Sequence, residues 1–239
     1  DITLPGVQTE LLEAVAKANK NVVLVTMSGR PLDLSRESKL VPSLVQAWHL
    51  GSQSGNAIAQ VIYGDYNPSG KLPMSFPRSV GQVPIYYNHK RTGRPNDAGN
   101  GIVFWSHYSD EANDPLYPFG YGLSYADFDY ADLQVSQPEK GKVVVNLKVT
   151  NTSQLDGEEV VQLYLHDIAA SVTRPVKELK GFEKLMIKAG ESKQISFTLG
   201  EAELGFYDNE GNFIVEPGEY EITVGGSSVG GLSTRFTEK

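Results

Sequence analysis

The chain of 239 residues contains no cysteine, so disulfide bonds, thiol catalysis and zinc–thiolate sites are excluded. No apolar run approaches the roughly 18–20 residues that a transmembrane helix needs. Positive charge is in the minority, with 21 Lys and Arg residues against 29 Asp and Glu residues and a net charge of −8. The basic residues form no cluster in the sequence, which argues against a nucleic-acid backbone as partner. We therefore expect neither a membrane nor a nucleic acid among its partners.

The chain also lacks an initiating methionine and a signal-like segment, and a helical pattern and an apolar strand follow its first residues at once. We therefore expect it to be a piece of a longer protein. What is present is a globular composition, with 40% hydrophobic and 21% charged residues. The 24 glycines and 13 prolines favour β-structure with many turns over a helical bundle.

The first part of the chain has the pattern of an α/β layer. Apolar residues at helical spacing predict a helix over residues 6–19. A continuous apolar run predicts a strand over residues 22–27 that is covered on both faces, and we expect this strand to form an unpaired apolar edge. Residues 54–63 predict a second helix, rich in small residues, whereas residues 41–50 fit either a buried strand or a short helix.

The second part of the chain alternates apolar and polar residues with a period of two, and turn clusters separate the alternating segments. The candidate core positions are Val143, Val145, Leu147 and Val149, then Val161, Leu163 and Leu165, then Ile195, Phe197 and Leu199, and finally Tyr220, Ile222 and Val224. No helical stretch interrupts them. This spacing predicts a β-sandwich of about seven strands.

A set of ordered motifs follows the chain from end to end. They are LPGVQ at residues 4–8, SGRP at 28–31, AW at 47–48, G at 51 with GNAIA at 55–59, GDYNPSGKLP at 64–73, MSFPRSVGQVPIYY at 74–87, YPFGYGLSY at 117–125, RPVK at 174–177 and GFEK at 181–184. Together they resemble glycoside hydrolase family 3. The stretch at 74–87 and the last two motifs most resemble the bacterial periplasmic β-glucosidases of that family.

The resemblance implies a fold of two classes, α/β plus all-β. A partial α/β sandwich layer, the C-terminal half of that domain, is expected over residues 1–87. An inter-domain loop is expected over residues 88–125, and a fibronectin type III-like β-sandwich over residues 126–239. Members of the family begin with a barrel that carries an aspartate nucleophile, and the resemblance implies that this barrel is a missing N-terminal partner of the chain.

The resemblance also implies the chemistry of a retaining glycosidase, in which two carboxyl groups about 5–5.5 Å apart act on the glycosidic bond. The family's acid/base glutamate precedes the segment that matches residues 4–8, so neither catalytic residue is assigned to this chain. The expected activity is that of an exo-β-glucosidase acting on terminal β-D-glucosyl residues of β-linked oligosaccharides. A β-xylosidase, an exo-glucanase and a non-catalytic carbohydrate-binding or adhesion module are the alternatives.

Further expectations follow from the resemblance. The chemistry needs no cofactor, and the expected location is periplasmic or secreted, with a homodimer as one possible assembly. The four histidines have neither the i, i+4 pairing nor the spacing of a metal site, so no metal ligand is assigned.

The candidate substrate-binding residues lie in a long polar segment over residues 88–115. A loop of this length in a compact protein is usually functional or disordered. Trp105, Tyr108, Asp110 and Glu111 are the candidates, because sugar sites combine an aromatic platform with carboxylates that bind hydroxyl groups. Loop packing and domain docking are the alternative roles.

Other polar motifs are interpreted as structural. The adjacent carboxylates Glu158 and Glu159 are expected on a solvated face, because neighbours along an extended chain point in different directions. Lys71 is expected to form an ion pair at a domain interface. Residues 226–230 match the nucleophile elbow of α/β-hydrolases formally, but no histidine follows them. Residues 151–153 match an N-glycosylation acceptor by rule alone.

Overall fold

The computed structural model describes residues 1–95 and 103–239, and the chain divides into two compact units. The first unit comprises Asp1–Tyr66, Met74–Ile85 and Tyr108–Pro118. The second comprises Asn67–Pro73, Tyr86–His107 and Phe119–Lys239. Both units are therefore built from segments that alternate along the chain. None of the described helices is both long and apolar enough to cross a bilayer.

The first unit contains two helices and two short parallel strands. The elements are α1 (Gln8–Ala18), β1 (Val23–Thr26), β2 (Ser43–Gln46) and α2 (Ser54–Tyr63), with 3₁₀ turns at Glu37–Lys39 and Val80–Gln82. The strands pair in parallel, and a glycine in the left-handed conformation (φ 81°) follows α2 and ends it. Both predicted helices and the predicted first strand are confirmed, and the strand alternative is correct for β2.

Much of the apolar surface of the first unit is exposed. Leu11 on α1 is 64% exposed, and Val23 at the start of β1 is 41% exposed. The expectation that β1 is covered on both faces is wrong for the described residues, because Val23 is exposed and Leu24 and Val25 are only partly buried. A continuous apolar run reports that a strand is covered, but it does not say by which segment.

The second unit is an antiparallel β-sandwich. Its strands are β3 (Phe128–Glu139), β4 (Lys142–Asn151), β5 (Gly157–Asp167), β6 (Glu178–Ile187), β7 (Ser192–Leu199), β8 (Phe206–Tyr207), β9 (Phe213–Ile214), β10 (Gly218–Gly225) and β11 (Leu232–Glu238). One sheet has the order β3-β4-β7 and the other β11-β10-β5-β6, while β8 and β9 form a small hairpin. A single short helix, α3 (Glu201–Leu204), joins β7 to β8. The two sheets contain the seven strands that the sequence predicts.

The core of the sandwich consists of the alternating residues. All predicted core residues of β4 and β5 are buried, as are those of β10. Of the predicted β7 residues, Ile195 and Leu199 are buried, and Phe197 packs against the core with part of its surface exposed. Because side chains alternate across a strand, this register leaves the residues between them on the outer faces.

Two segments from before the sandwich belong to the same unit. The side chain of Asn67 accepts hydrogen bonds from the Ser124 hydroxyl and the Tyr125 backbone N–H, both at 2.8 Å, and donates to the Asp156 carbonyl at 3.0 Å. The predicted domain boundaries at residues 87 and 125 follow a different division and stay a prediction. Contacts alone assign residues 67–73 to the sandwich.

Candidate functional site

The four predicted substrate-binding residues fall in different units. Trp105 belongs to the second unit, whereas Tyr108, Asp110 and Glu111 belong to the first. Trp105 is partly buried, Tyr108 and Asp110 are exposed, and Glu111 is partly buried.

Trp105 lies at the neck of a loop whose two ends are held together. The Ser106 backbone N–H donates to the Arg94 carbonyl at 2.8 Å, and the Thr92 hydroxyl donates to the Ser106 hydroxyl at 3.0 Å. These two bonds keep residues 92–95 beside residues 104–106. The loop is thus closed at its base by hydrogen bonds between residues more than ten positions apart.

A cavity of about 620 Å³ opens beside this neck, lined by Gly93, Arg94, Pro95, Phe104 and Trp105. The described residues of its walls combine aromatic rings with one guanidinium group. Aromatic faces pack on the apolar faces of sugar rings, and a guanidinium donates several hydrogen bonds to oxygen atoms. The composition suits a polar ligand that has an apolar face, such as a pyranose.

Sequence reasoning identified Trp105 in this cavity but missed Arg94 and Phe104. Phe104 could have been found because it precedes Trp105 directly. Arg94 could not, because it lies eleven positions before Trp105 and only the closed neck brings the two together.

In the first unit, the segment that follows Asp110 and Glu111 is tied to the Val80–Gln82 turn. The buried amide of Gln82 donates to the Ala112 carbonyl at 2.7 Å. The Arg78 guanidinium lies 2.7 Å from the Asp114 carboxylate. The backbone next to the two predicted carboxylates is therefore fixed. The Tyr108 backbone N–H also donates to the Asn113 side chain at 3.1 Å.

The adjacent carboxylates of β5 differ from the expectation. Glu159 is only 3% exposed, so the predicted solvated face is wrong for this residue. Its carboxylate lies 3.1 Å from the Lys71 Nζ atom and accepts the Tyr130 hydroxyl at 2.8 Å. Glu158, on the opposite face of the strand, lies 2.9 Å from the Lys184 Nζ atom. The alternation along β5 explains the difference. Glu159 lies on the same inward face as Val161 and Leu163, whereas Glu158 lies on the other face.

Lys71 forms an ion pair as predicted, but Lys71 and Glu159 both belong to the second unit, so the pair lies within that unit and not at the predicted interface. The same Nζ atom donates to the Gly122 carbonyl at 2.9 Å. Burial raises the pKa of the Tyr130 hydroxyl, and the charge of Glu159 adds to this effect, so Tyr130 keeps the proton that it donates. These contacts give Lys71, Tyr130 and Glu159 a structural role within the second unit.

Two further motifs have structural roles. Ser228, in the formal elbow motif, is buried, and its N–H donates to the Phe119 carbonyl at 2.9 Å. Asn151, in the formal glycosylation motif, is fully buried and donates to the Leu155 and Ile187 carbonyls at 2.7 and 3.0 Å. Among residues 1–95 and 103–239, no group of three or more acidic or histidine side chains could hold a metal ion.

Comparison with known proteins covers nearly the whole chain. The model of the glycosyl hydrolase family 3 C-terminal domain matches residues 1–125, and that of a fibronectin type III-like domain matches residues 159–228. A periplasmic beta-glucosidase of Salmonella typhimurium is 48% identical over 94% of this chain, and a beta-xylosidase of Formosa agariphila is 44% identical over 95%.

A solved structure is also similar. The beta-glucosidase of Listeria innocua in complex with glucose superposes with a TM-score of 0.93 and 40% identity over 99% of this chain, which covers 33% of that protein. This chain spans 30% and 31% of the lengths of the Salmonella and Formosa relatives.

Proposed function

Because this chain belongs to glycosyl hydrolase family 3, we propose that it is the C-terminal portion of a retaining exo-β-glucosidase. The enzyme would hydrolyse terminal β-D-glucosyl residues of β-linked oligosaccharides. The observation that carries the proposal is the 48% identity, over 94% of the chain, to a relative named as a periplasmic beta-glucosidase. The name of that relative also supports a periplasmic or secreted location.

In this proposal the chain carries neither catalytic carboxylate. A retaining glycosidase needs two carboxyl groups about 5–5.5 Å apart, one as nucleophile and one as acid and base. The relatives are about three times as long as the matched region, which leaves ample polypeptide for an N-terminal barrel that would hold the nucleophile. A homodimer remains a prediction.

The exposed apolar face of the first unit supports a partner of this kind. Val7, just before α1, and Leu11 and Val15 on α1 are all exposed. Leu11 and Val15 line a groove of about 770 Å³ together with β1, whose second edge has no partner strand in the described part of the chain and is called its free edge. Exposed apolar surface of this extent in one place marks a surface that another part of a protein covers.

We propose that the cavity beside Trp105 holds the sugar on the leaving-group side of the scissile bond. The Trp105 and Phe104 rings would pack on its ring face, and the Arg94 guanidinium would donate to its hydroxyl groups. Tyr108, Asp110 and Glu111 remain proposed substrate contacts as well, since each is at least partly exposed and they precede Ala112, whose carbonyl Gln82 binds.

The test is hydrolysis by the intact enzyme that contains this chain. We expect glucose release from nitrophenyl β-glucoside and cellobiose, with the β-anomer appearing first in proton NMR spectra. A Trp105→Ala variant should raise KM for cellobiose severalfold, while a Trp48→Phe variant serves as the aromatic control. Absence of glucosidase activity in the unmodified enzyme, or initial release of the α-anomer, would refute the proposal.

A β-xylosidase is the second candidate, because the Formosa agariphila relative of that name is 44% identical. The ratio of kcat/KM for nitrophenyl glucoside and nitrophenyl xyloside separates the two. A strong preference for the xyloside would replace the first proposal with the second. An exo-glucanase would favour long glucans over cellobiose. A non-catalytic binding module would hydrolyse neither and would be retarded by soluble glucans in affinity electrophoresis.

A further inference from the structure

We propose that Gln162 and Tyr164 are positioning residues that hold the loop segment leading to the Trp105 cavity, although neither lies on that cavity. The inference rests on the proposed function, because the cavity is the proposed sugar site. It assigns a role to two buried polar side chains that the sandwich core does not use.

Gln162 and Tyr164 lie on the outer face of β5 and yet are buried. Val161, Leu163 and Leu165 fill the core, so the register places Gln162 and Tyr164 on the opposite side of the sheet. Gln162 is 3% exposed and Tyr164 is 1% exposed, whereas Phe182, which pairs with Gln162 on β6, is 67% exposed. Another part of the chain therefore covers the outer face of β5 at Gln162 and Tyr164, and the outer face of β6 at Phe182 stays exposed to solvent.

Loop segments of the same unit provide the cover, and Gln162 binds them. Its amide nitrogen donates to the Gly120 carbonyl at 3.1 Å and to the Gly226 carbonyl at 2.7 Å. Its amide oxygen accepts the Tyr164 hydroxyl at 2.6 Å. One side chain therefore fixes two loops to the sheet and uses both donors of its amide.

The fit around Gln162 is close. Gly120 has a φ of 78°, and a Cβ atom there would lie 2.0 Å from the Gln162 side-chain oxygen. Only glycine combines this backbone conformation with so near an approach. On the other side, the Lys177 Nζ atom lies 5.7 Å from the Tyr164 ring centroid and donates to the Ser228 carbonyl at 2.7 Å.

Tyr164 transmits this fixed position to the segment before the cavity. The Tyr87 ring meets the Tyr164 ring edge-on at 5.7 Å and stacks on Phe119 at 4.3 Å between centroids. The Tyr87 hydroxyl accepts the Leu179 backbone N–H at 3.2 Å. Two residues further on, the His89 carbonyl accepts the Val176 N–H at 2.9 Å, and the neck of the loop begins at Thr92.

The chemistry of the pair fits positioning better than stability. Burying polar groups costs free energy unless every group is paired, and an apolar pair could cover the same sheet without that condition. A fully paired buried network instead defines one arrangement of the segments that it joins. Burial also raises the pKa of the Tyr164 hydroxyl, so it remains a donor to Gln162.

The test compares two substrates of the intact enzyme. Cellobiose places a sugar in the proposed cavity, and β-glucosyl fluoride does not. We expect Gln162→Leu to raise KM for cellobiose about tenfold, as small displacements of a binding group do, and to leave kcat/KM for the fluoride unchanged. Tyr164→Phe, which removes only one hydroxyl, should cause a smaller change of the same kind. Thr223→Val is the matched control, because Thr223 lies opposite Tyr164 on β10 and bonds only to Ser233 in the described network.

A double-mutant cycle separates positioning from general destabilisation. If Gln162 acts through Trp105, Gln162→Leu should raise KM no further when Trp105→Ala is already present. Trypsin gives an independent readout, since release of the segment should speed cleavage after Lys90 and Arg91. Faster cleavage in the Gln162 variant and not in the Thr223 control supports the inference.

Equal losses on both substrates, additive effects in the cycle, or unchanged cleavage would each overturn the positioning role. An unmodified enzyme without glucosidase activity would instead refute the proposed function. In that case the cleavage rates alone decide whether Gln162 holds the loop.

Discussion

The two units use similar apolar residues with different results. In the sandwich, Leu163 and its neighbours are fully buried by strands of the same unit. On α1 of the other unit, Leu11 and Val15 have the spacing of a buried face and remain exposed. An apolar pattern therefore predicts burial only where the covering surface belongs to the same segment of chain. The sandwich covers its own apolar rows, whereas the α/β unit buries Leu12 and Ala16 of α1 and leaves Leu11 and Val15 exposed.

The largest effect is expected for the buried ion pair of the sandwich. Glu159→Gln leaves the Lys71 ammonium without its counter-ion and should lower the free energy of unfolding by about 3–5 kcal/mol. Glu13→Gln removes the exposed Glu13–Arg36 pair of the other unit and should cost less than about 1 kcal/mol. Urea unfolding of the chain measures both. Equal losses would contradict the difference between the units.

Truncation of a leucine to alanine should also affect the two units differently. Leu163→Ala should cost about 2–5 kcal/mol, because it removes buried surface and leaves a cavity. Leu11→Ala should change stability by no more than about 0.5 kcal/mol, because its side chain is already in water. Guanidinium unfolding followed by circular dichroism distinguishes the two. A large loss for Leu11 would show that α1 packs more tightly than its exposure indicates.

Two aspartates of the sandwich should respond to pH in opposite directions. Burial raises the pKa of Asp167 above its usual 3.8, although the charge of Arg174 opposes this. The folded state therefore loses stability as pH rises from 3.8 through the raised pKa of Asp167. Asp167→Asn should therefore stabilise the chain at pH 7 and lose this advantage near pH 4. Thermal unfolding from pH 4 to pH 7 measures the slope.

Asp208 is the control for the sign. The Asn212 backbone N–H lowers its pKa below 3.8, and burial opposes this only in part. Its contribution is present above 3.8 and is lost as pH falls through the folded value. Asp208→Asn should thus destabilise at pH 7 and have little effect at low pH. Extending the thermal unfolding series below pH 3.8 measures this loss, and the same slope for both variants would contradict the assignment.

The smallest effect on stability is expected on α1. Changing Val7, Leu11 and Val15 together to serine should leave the unfolding of the sandwich unchanged, since none of them is buried. Aggregation of the 239-residue chain should decrease, because an exposed apolar patch is removed. Light scattering at rising concentration measures this. Unchanged aggregation would show that another surface causes the association, and the free edge of β1 would be the next candidate.

Sequence patterns predicted the sandwich well because its strands are governed by local alternation and by turn residues. The inward-facing residues of β4 could be predicted from the alternation alone, because the opposite sheet of the same sandwich covers them. The same reasoning predicted that Glu159 is exposed to solvent. Two adjacent glutamates are the same residue type, so the sequence does not indicate which of them faces inward. Only Lys71, some ninety residues earlier, supplies the charge that allows its burial.

The candidate site was predictable only in part for the same reason. Trp105 stands out by residue type in a polar loop. Arg94 reaches it through a closed neck, and Gln162 supports that neck through Tyr164 and Tyr87, a path across three distant segments. Gln162 also follows Val161 in an apolar run, where a glutamine is ordinarily expected to face water. No local pattern reports that two loops cover it.

The alternation of segments between the units sets a rule for recombining members of this family. A chimera that exchanges only residues 126–239 would replace Glu159 and Asp156 while leaving Lys71 and Asn67 from the other parent. A graft that carries residues 67–73 and 119–125 with the strands transfers both halves of each contact, so crossover points belong at the ends of those short pieces.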